Sequence, residues 1–179
     1  MILARILLSY STVDGQTLKI SQRLQDLLVA MGHTAELVEV GSAVNIEPAA
    51  FDQIVIGASI RYGKYRPELY RFIEAHRDAL EHKPSAFFSV NVVARKPGRN
   101  TPESNPYTRT LKRNTTWVPK TMAVFAGKID YQRYGFFDRQ MIRLIMWLTK
   151  GPTDPTACVE FTDWSDVERF AQRVGSGTQ

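Results

Sequence analysis

STVDGQT, residues 11–17, is the stretch that decides the fold of this chain. It follows an apolar run at residues 2–8, which predicts a buried strand, and it opens into apolar residues at helical spacing over residues 17–31. A strand that passes through small, hydroxylated residues into a helix presents the free N–H groups of the first helical turn at the positive end of the helix. An anion is favoured there, so the stretch predicts a phosphate-binding loop.

The side chains of this stretch suit a single phosphate group. Gly15 lets the backbone approach the anion closely, and the hydroxyls of Ser11, Thr12 and Thr17 add donors. The stretch lacks the lysine of a Walker A motif and the glycine spacing of a dinucleotide fingerprint, which disfavours nucleoside triphosphates and dinucleotides. The alternative, which the loop alone leaves open, is a plain strand–helix turn with Asp14 as its N-cap.

Strands and helices alternate along the rest of the chain. The patterns predict strands at residues 34–40, 53–56, 85–91 and 120–127, and helices at residues 67–80, 101–114, 135–150 and 162–174. This alternation is typical of an α/β fold with a parallel sheet and helices on both faces. Ligands bind at the carboxyl ends of such strands, where the loops at residues 10–17, at residues 57–66 and after Val90 should meet. We expect one domain over residues 1–174 and a frayed tail at residues 175–179.

The net charge of +5 is concentrated in one third of the chain. Residues 92–150 hold 12 Lys and Arg against three acids, whereas the rest of the chain holds 11 against 15. The same third holds eight of the 19 aromatic residues, and we interpret it as a basic, aromatic-rich insertion or extension of the domain. It predicts a surface for nucleic acid, an anionic membrane or an acidic small molecule. The alternative is a solvated surface on which arginine stems cover apolar neighbours.

Cysteine and histidine give few functional indications. The single cysteine excludes an intrachain disulfide and a cysteine-based metal cluster; Cys158 is expected in the core, and no metal site is expected. His33, His76 and His82 are expected at the surface. The single cysteine fits a reducing, cytoplasmic setting. The apolar start is interrupted by Arg5 and lacks the layout of a signal peptide, and no apolar run reaches the roughly 18 residues of a spanning helix.

The second and third loops suit a flat heterocycle. GASIRYGKY, residues 57–65, combines small residues that leave room for such a ligand with Tyr62 and Tyr65, either of which is placed to stack on it. Arg61 and Lys64 add positive charge, although a glycine-rich turn with surface tyrosines is the alternative. SVNVVARKP, residues 89–97, offers backbone N–H and C=O groups to the edge of a heterocycle.

Five sequence blocks in order carry a family resemblance: STVDGQT, GASIRYGKY, PSAFFSVNVVARKP, RLIMWLTKG and FTDW. The first resembles the phosphate loop of flavodoxins. Together, over about residues 7–170, the blocks resemble the flavodoxin-like, quinone-dependent protoporphyrinogen oxidases of bacterial haem synthesis. The resemblance implies a flavodoxin-like three-layer α/β sandwich, with a parallel sheet in the order 2-1-3-4-5, and non-covalent FMN.

The resemblance also assigns residues to the cofactor. Those that would hold the FMN phosphate are Ser11, Thr12, Asp14, Gly15, Gln16 and Thr17. Those that would line one side of the isoalloxazine are Ser59, Ile60, Arg61 and Tyr62, and those that would line the other are Asn91, Val92, Val93 and Ala94.

The implied activity is the oxidation of protoporphyrinogen IX to protoporphyrin IX, with electrons passed to menaquinone or ubiquinone at the cytoplasmic side of the bacterial inner membrane. A flavin is required as the hydride acceptor because no set of side chains in this chain accepts hydrides. Arg61, Arg95 and Lys96 are the candidates to pair with the substrate's propionates, and no residue is singled out as a general base.

Phe136–Leu148 predicts an amphipathic helix with Arg139, Arg143 and Lys150 on a narrow polar face. The helix is too short to span a bilayer but suits the membrane interface, with its basic residues toward lipid head groups. The alternatives are a helix packed on the sheet, or an interface between copies of the chain in a homo-oligomer.

Three rival functions fit part of the sequence. A flavodoxin-like electron carrier is the nearest, but such carriers are usually strongly acidic and this chain is basic. A flavodoxin-like quinone reductase fed by NAD(P)H is the second. A nucleic-acid-binding module is the weakest, because the aromatic strand face of an RNA-binding sheet is not apparent, and no nucleic-acid partner is expected.

Overall fold

A five-stranded parallel sheet in the order β2-β1-β3-β4-β5 forms the centre of the computed structural model, which describes residues 3–42 and 46–177. Its strands are β1 (Arg5–Ser11), β2 (Thr34–Glu39), β3 (Gln53–Ser59), β4 (Ser85–Asn91) and β5 (Thr121–Ala126). The order confirms the one implied by the flavodoxin resemblance. The apolar residues of β1, β3 and β4 are almost wholly buried because helices cover both faces of the sheet.

Helices on the two faces enclose two apolar cores. On one face α1 (Gln16–Ala30) and α6 (Trp164–Gly175) pack against the sheet, and their Leu24 and Phe170 join β1 residues Ile6 and Leu8 in one cluster. Helices α2 (Pro67–Ala75), α3 (Arg77–His82) and α4 (Pro106–Asn114) contribute to the core on the other face, where Leu7 lies. Successive residues of β1 thus enter opposite cores, as the two-residue period of a strand requires.

Two predicted helices differ in the structure. The helix expected at residues 67–80 is divided at His76, whose backbone angles of φ −117° and ψ 21° separate α2 from α3. The helix expected from residue 101 begins only at Pro106, because the Asn105 side chain accepts a hydrogen bond from the N–H of Tyr107 and caps it. Thr101 therefore is not the N-cap; it forms a turn with Ser104.

Between β5 and α6 the chain inserts a separate unit, which we call the β5–α6 segment (residues 127–163). It contains β6 (Lys128–Asp130), which pairs antiparallel with β7 (Cys158–Glu160), and helix α5 (Phe136–Leu148). Neither strand was predicted from the sequence, because three residues are too few to show a period. This pair brackets α5 in the sequence, and α5 lies beside the carboxyl ends of the strands of the sheet.

Two expectations about burial are wrong. Cys158 is exposed, because β7 lies on the two-stranded pair and not in a core. His33 is buried: its Nδ1 accepts from the N–H of Ala4 at 3.2 Å and its Nε2 donates to the carbonyl of Gly175 at 2.9 Å. The start of the first predicted strand at Ile2 and the end of the predicted tail at residues 178–179 lie outside the described residues.

Candidate functional site

A cavity of about 860 Å³, part of it open to solvent, lies at the carboxyl ends of the strands. The loops after β1, β3 and β4 form three of its walls, so the structure brings together the loops that the sequence analysis expected to meet. Helix α5 forms a fourth wall, which was not expected.

The loop after β1 leaves the start of α1 uncapped. Gly15 occupies the N-cap position at φ +86°, where a side chain would be strained, so the N-cap residue has no side chain with which to cap the helix. The Thr12 hydroxyl instead accepts from the N–H of Gly15 at 3.0 Å and closes the loop. The alternative of Asp14 as the N-cap is therefore wrong, and the N–H groups of the first turn of α1 remain available to an anion.

Two buried hydroxyls in the same loop have no partner among the described residues. They are the Oγ of Ser11 and the Oγ1 of Thr17, whose residues are 1% and 0% exposed. An unsatisfied buried hydroxyl destabilises a protein, so such groups usually have a ligand or water partner. A Cβ built on Gly15 would meet no atom within 4 Å, so there is open space beside the loop.

The loop after β3 is shaped by a tight turn. Arg61 and Lys64 exchange backbone hydrogen bonds at 2.9 and 3.1 Å, and Tyr62 between them has a left-handed backbone at φ +50°. Tyr62 is half exposed at the cavity, where it lies as the sequence analysis proposed. Tyr65 is not available to stack on a ligand, because it is buried on the sheet and its hydroxyl donates to the Oγ of Ser89 at 2.8 Å.

The guanidinium of Arg61 lies between two carboxylates. Its Nη1 donates to both oxygens of Asp14, at 3.0 and 2.8 Å, and its Nη2 donates to Asp138 at 2.9 Å. Burial opposes the charge, but Asp14, Tyr62 and Asp138 outweigh it and raise the pKa of Arg61. The Tyr62 hydroxyl donates to Asp138 as well, and it lowers the pKa of that carboxyl together with Arg61. The carboxylate of Asp14 is thus paired with Arg61.

The loop after β4 is a short 3-10 turn, Val92–Arg95, capped by Asn91. The Oδ1 of Asn91 accepts from the N–H of Ala94 at 3.0 Å, and its amide donates to the Oγ of Ser89 at 3.1 Å. Asn91 itself is 3% exposed, so its side chain holds the loop in place while Val92 and Val93 face the cavity.

The two other cations proposed for the substrate lie at the edge of this loop. Arg95 lines the cavity and donates to the carbonyls of Val92, at 3.1 Å, and Thr149, at 2.9 Å. Burial lowers its pKa, and its hydrogen-bond partners are neutral, so no carboxylate of the described chain compensates its charge. Lys96 lies outside the cavity, in an adjoining shallow depression that Arg95 and Lys150 also line.

Helix α5 faces the cavity with one side and solvent with the other. Ile142, Met146 and, just beyond the helix, Thr149 line the cavity. These residues were missed as site residues, although their spacing of three to four is the signal of one helix face. The opposite side exposes a set of large apolar side chains: Phe136, Phe137, Met141, Leu144, Trp147 and Leu148.

The polar face of α5 points toward the protein. The Nε of Arg139 donates to the carbonyl of Tyr131 at 3.0 Å, and the Nε of Arg143 donates to the carbonyl of Thr153 at 2.9 Å. Both arginines therefore hold the flanks of the β5–α6 segment, whereas the sequence analysis directed them to lipid head groups. Of the three basic residues named for this face, Lys150 is the exposed one.

Most residues assigned to the cofactor line the cavity. They are Thr12, Asp14, Gln16, Thr17, Ser59, Ile60, Arg61, Tyr62, Asn91, Val92 and Val93. Ser11, Gly15 and Ala94 do not line it; Ser11 and Ala94 are buried beside it, and Gly15 sets the turn. Tyr134, which precedes α5 and contacts Arg61 through its ring at 5.1 Å, lines the cavity and was missed.

Comparison with known proteins gives consistent results. A family model described as "Flavodoxin domain" matches residues 7–156. Protoporphyrinogen IX dehydrogenase (quinone) of Escherichia coli strain K12 is 42% identical over 170 residues, which cover 95% of this chain and 94% of that protein. The protein of the same name from Leishmania major is 39% identical over 168 residues, 93% of this chain and 73% of that protein.

Solved structures support the fold alone. Oxidised Flavodoxin 1 from Bacillus cereus superposes with a TM-score of 0.56 at 12% identity, over 98% of this chain and 99% of that one. A flavodoxin from Archaea gives a TM-score of 0.53 at 11% identity, with 97% of both chains covered. From the family match and the sequence identities together, the chain belongs to the flavodoxin-domain family, among the quinone-dependent protoporphyrinogen IX dehydrogenases.

Proposed function

We propose that this chain uses FMN to oxidise protoporphyrinogen IX to protoporphyrin IX and passes the electrons to a quinone. Its relatives carry this substrate and acceptor in their name, and they share about two fifths of their residues with it over nearly the whole chain. The observation that carries the proposal is the set of free donors around the loop after β1: an uncapped helix start, the unpartnered buried hydroxyl of Thr17 at the cavity wall, and that of Ser11 buried beside the cavity.

The residues present fit FMN. Thr12, Gly15 and Thr17, with the first N–H groups of α1, form a cradle for one phosphate, and the hydroxyls of Ser11 and Thr17 gain partners when it is filled. The loops after β3 and β4 supply the two sides for the ring, through residues 59–62 and 91–93. FMN, when bound, supplies the acceptor for an electron pair and a proton from the porphyrinogen.

The chain's own residues provide orientation and exclusion of water. Ile142 and Met146 of α5 close one side of the cavity with apolar atoms, and Val92 and Val93 close another. Each electron pair removed from the substrate reduces one quinone to the quinol, so the substrate is oxidised in successive two-electron rounds. No side chain of the described residues stands out as a general base.

The substrate's propionates need cations near the cavity. Arg95 and Lys96 remain the candidates, because Arg95 has only neutral hydrogen-bond partners and Lys96 lies beside it with Lys150 in the same depression. Arg61 is less suitable for this role, since Asp14 and Asp138 already engage its guanidinium. A rise in the Michaelis constant for porphyrinogen in Arg95→Gln and Lys96→Gln, with an unchanged dissociation constant for FMN, is the expected result.

Anaerobic turnover tests the function. The purified protein should carry a yellow chromophore that is released as FMN, and it should reduce a water-soluble quinone when protoporphyrinogen IX is added without oxygen. An electron carrier would hold FMN without turnover, and an NAD(P)H-fed reductase would reduce the quinone with NADH or NADPH and not with porphyrinogen. Either result would replace the proposed function with the corresponding rival.

We further propose that the apolar side of α5 meets the lipid surface in which menaquinone or ubiquinone is dissolved. The part of the chain that the structure describes contains no helix long and apolar enough to cross a bilayer. With 13 residues α5 is about 20 Å long, so it suits a position parallel to the surface. Its outward side is apolar, its other side lines the cavity, and the exposed cation Lys150 follows its end.

Vesicle sedimentation tests this docking. We expect binding to vesicles of anionic phospholipid at low salt, weaker binding to zwitterionic vesicles, and partial loss at high salt as the cations are screened. If the protein binds no vesicles but sediments as a dimer, a second copy of the chain covers α5 instead of lipid. The place of the protein at the cytoplasmic face of the inner membrane rests on the same proposal.

A further inference from the structure

Arg61 links two parts of the molecule that are far apart in sequence. Asp14 lies 47 residues before it, in the loop that would hold the phosphate, and Asp138 lies 77 residues after it, in the first turn of α5. The Arg61 side chain is 17% exposed, so its two ion pairs are partly shielded from water. Partly buried pairs of this kind are screened less by salt than surface pairs are.

Further contacts strengthen this link at the same end of α5. The Tyr62 hydroxyl donates to Asp138, and Arg133 donates to the backbone carbonyl of Asp14 at 3.4 Å. The ring of Tyr134 lies 5.1 Å from the Arg61 guanidinium and is itself buried. The start of α5 is therefore fixed to the loops after β1 and β3 through Arg61 and its neighbours.

The other end of α5 is held independently of the phosphate loop. Arg95 donates to the carbonyl and the hydroxyl of Thr149, at 2.9 and 3.1 Å, and has no contact with residues 11–17 in the described structure. The N–H of Gly151 donates to the carbonyl of Met146 at 2.7 Å and closes the helix. Among the described residues, the loop after β1 therefore acts on α5 through the start of the helix.

We propose that Arg61 is a positioning residue that couples the occupancy of the phosphate loop to the position of α5, an inference that rests on FMN as the cofactor. A phosphate bound in the loop fixes Asp14, Asp14 fixes the guanidinium of Arg61, and Arg61 fixes Asp138 and the start of the helix. Arg61 also neutralises the carboxylate of Asp14, which would otherwise repel the phosphate. Because coupling between two sites is reciprocal, a well-placed α5 also tightens phosphate binding.

This coupling makes the cavity wall and the apolar surface depend on the cofactor. Residues 136–148 carry the wall residues Ile142 and Met146 on one side and the large exposed apolar residues on the other. In the chain loaded with FMN, the apolar side of α5 therefore has a fixed position. In the empty chain, the position of the helix is less restricted. The surface that we assign to lipid is complete only when the cofactor is bound.

Hydrogen exchange with two flavins tests the coupling. Riboflavin has the same ring as FMN but no phosphate, so a difference between the two flavins at saturation reports the phosphate alone. We expect FMN to slow amide exchange in residues 136–148 of the natural chain about fivefold more than riboflavin does. In Asp138→Ala, which leaves the Arg61–Asp14 pair in place, the two flavins should protect α5 equally.

Two further variants separate coupling from a general loosening of a helix. Asp166→Ala is the matched control, since Asp166 is also an ion-paired acid in the first turn of a helix but does not line the cavity; it should keep the fivefold difference. Arg61→Gln should remove the difference as Asp138→Ala does, and the double variant should lose no more than either single one.

Three results would overturn the proposal. They are equal protection by both flavins in the natural chain, a difference that persists in Asp138→Ala, and faster exchange of α5 with FMN than without it. A chain that binds neither flavin would overturn the proposed function itself, whereas a chain that binds both flavins without a difference would overturn the coupling alone.

Discussion

The central sheet buries its large apolar side chains, whereas helix α5 exposes comparable ones to solvent. Phe87 and Phe88 of β4 are 0% and 1% exposed, whereas Phe136 and Phe137 at the start of α5 are 67% and 85% exposed. Both pairs are adjacent phenylalanines in regular structure. The sheet gains free energy by removing its rings from water, and α5 leaves comparable rings in water, which is typical of a surface that meets a partner.

The difference shows which part of the fold serves stability and which serves function. Strand β4 is buried from end to end, and β1 and β3 are buried along most of their length, so the loops that follow these strands have fixed positions. The β5–α6 segment adds little to the two cores on the sheet; it has a small core of its own around Ile129, Tyr131 and Met146. Within this segment, Arg61 and Arg95 hold the two ends of α5 to the rest of the fold, so the helix can respond to the cofactor while the sheet does not.

The largest effect should come from the sheet. Phe88→Ala removes a buried ring that packs against Phe125 and Phe170, with ring centroids 5.6 and 5.9 Å away. We expect the free energy of unfolding to fall by about 4 kcal/mol, measured by urea denaturation. Phe137→Ala, the same change on α5, is the control and should leave the free energy of unfolding nearly unchanged. Similar losses in both variants would remove the contrast between the two regions.

The second effect should appear on α5 and only in membrane binding. Phe137→Ser together with Leu148→Ser places two hydroxyls on the exposed apolar side. We expect affinity for anionic vesicles to drop at least about tenfold, since a single buried apolar side chain contributes about 1.5–3 kcal/mol. The thermal midpoint should stay the same, and unchanged vesicle affinity would show that lipid does not cover this surface.

The third effect concerns Thr17, at the loop that joins the two regions. Its substitution should stabilise the empty chain but weaken the binding of FMN. Thr17→Val keeps the shape of a wholly buried residue but removes its unpartnered hydroxyl. The empty chain should become more stable by about 1 kcal/mol, because an unsatisfied polar group is lost. The affinity for FMN should fall about tenfold while that for riboflavin stays constant, since a hydrogen bond to a charged group is lost. Loss of riboflavin affinity as well would place Thr17 at the ring and not at the phosphate.

The smallest effect should be a pH dependence at the start of α5. The hydroxyl of Tyr62 and the cation of Arg61 hold the pKa of Asp138 below its ordinary value of 3.8. A lowered pKa in the folded state means that the contribution to stability is fully present above pH 3.8 and is lost as the pH falls through the folded pKa. The difference in amide exchange of α5 between the natural chain and Asp138→Asn should therefore be constant from pH 6 down to about pH 4. Below that pH the two chains should converge. A difference that fades between pH 6 and pH 5 would assign the titration to another group.

Periodicity and loop chemistry made most of the fold predictable. The five strands of the sheet and the helix Phe136–Leu148 were predicted from the local spacing of apolar residues. The structure confirms these elements. Two predicted helix boundaries were less accurate. A local change of backbone angle divides the helix at His76, and the side-chain cap of Asn105 moves the start of the next helix away from Thr101. Strands β6 and β7 could not be predicted from the sequence, because a strand of three residues is too short to show a periodic apolar pattern.

Short contiguous patterns were enough to predict the alternation of strands and helices and the three loops at the carboxyl edge of the sheet, and the resemblance of five sequence blocks to a family implied the order of the strands. Which groups those loops bring together depends on the tertiary structure. Arg61 was expected to meet a substrate, and the fold places it between Asp14 and Asp138; His33 was expected at the surface, and the fold buries it between Ala4 and Gly175. These pairings join residues dozens of positions apart, so no local pattern encodes them; they follow from the packing of the whole chain.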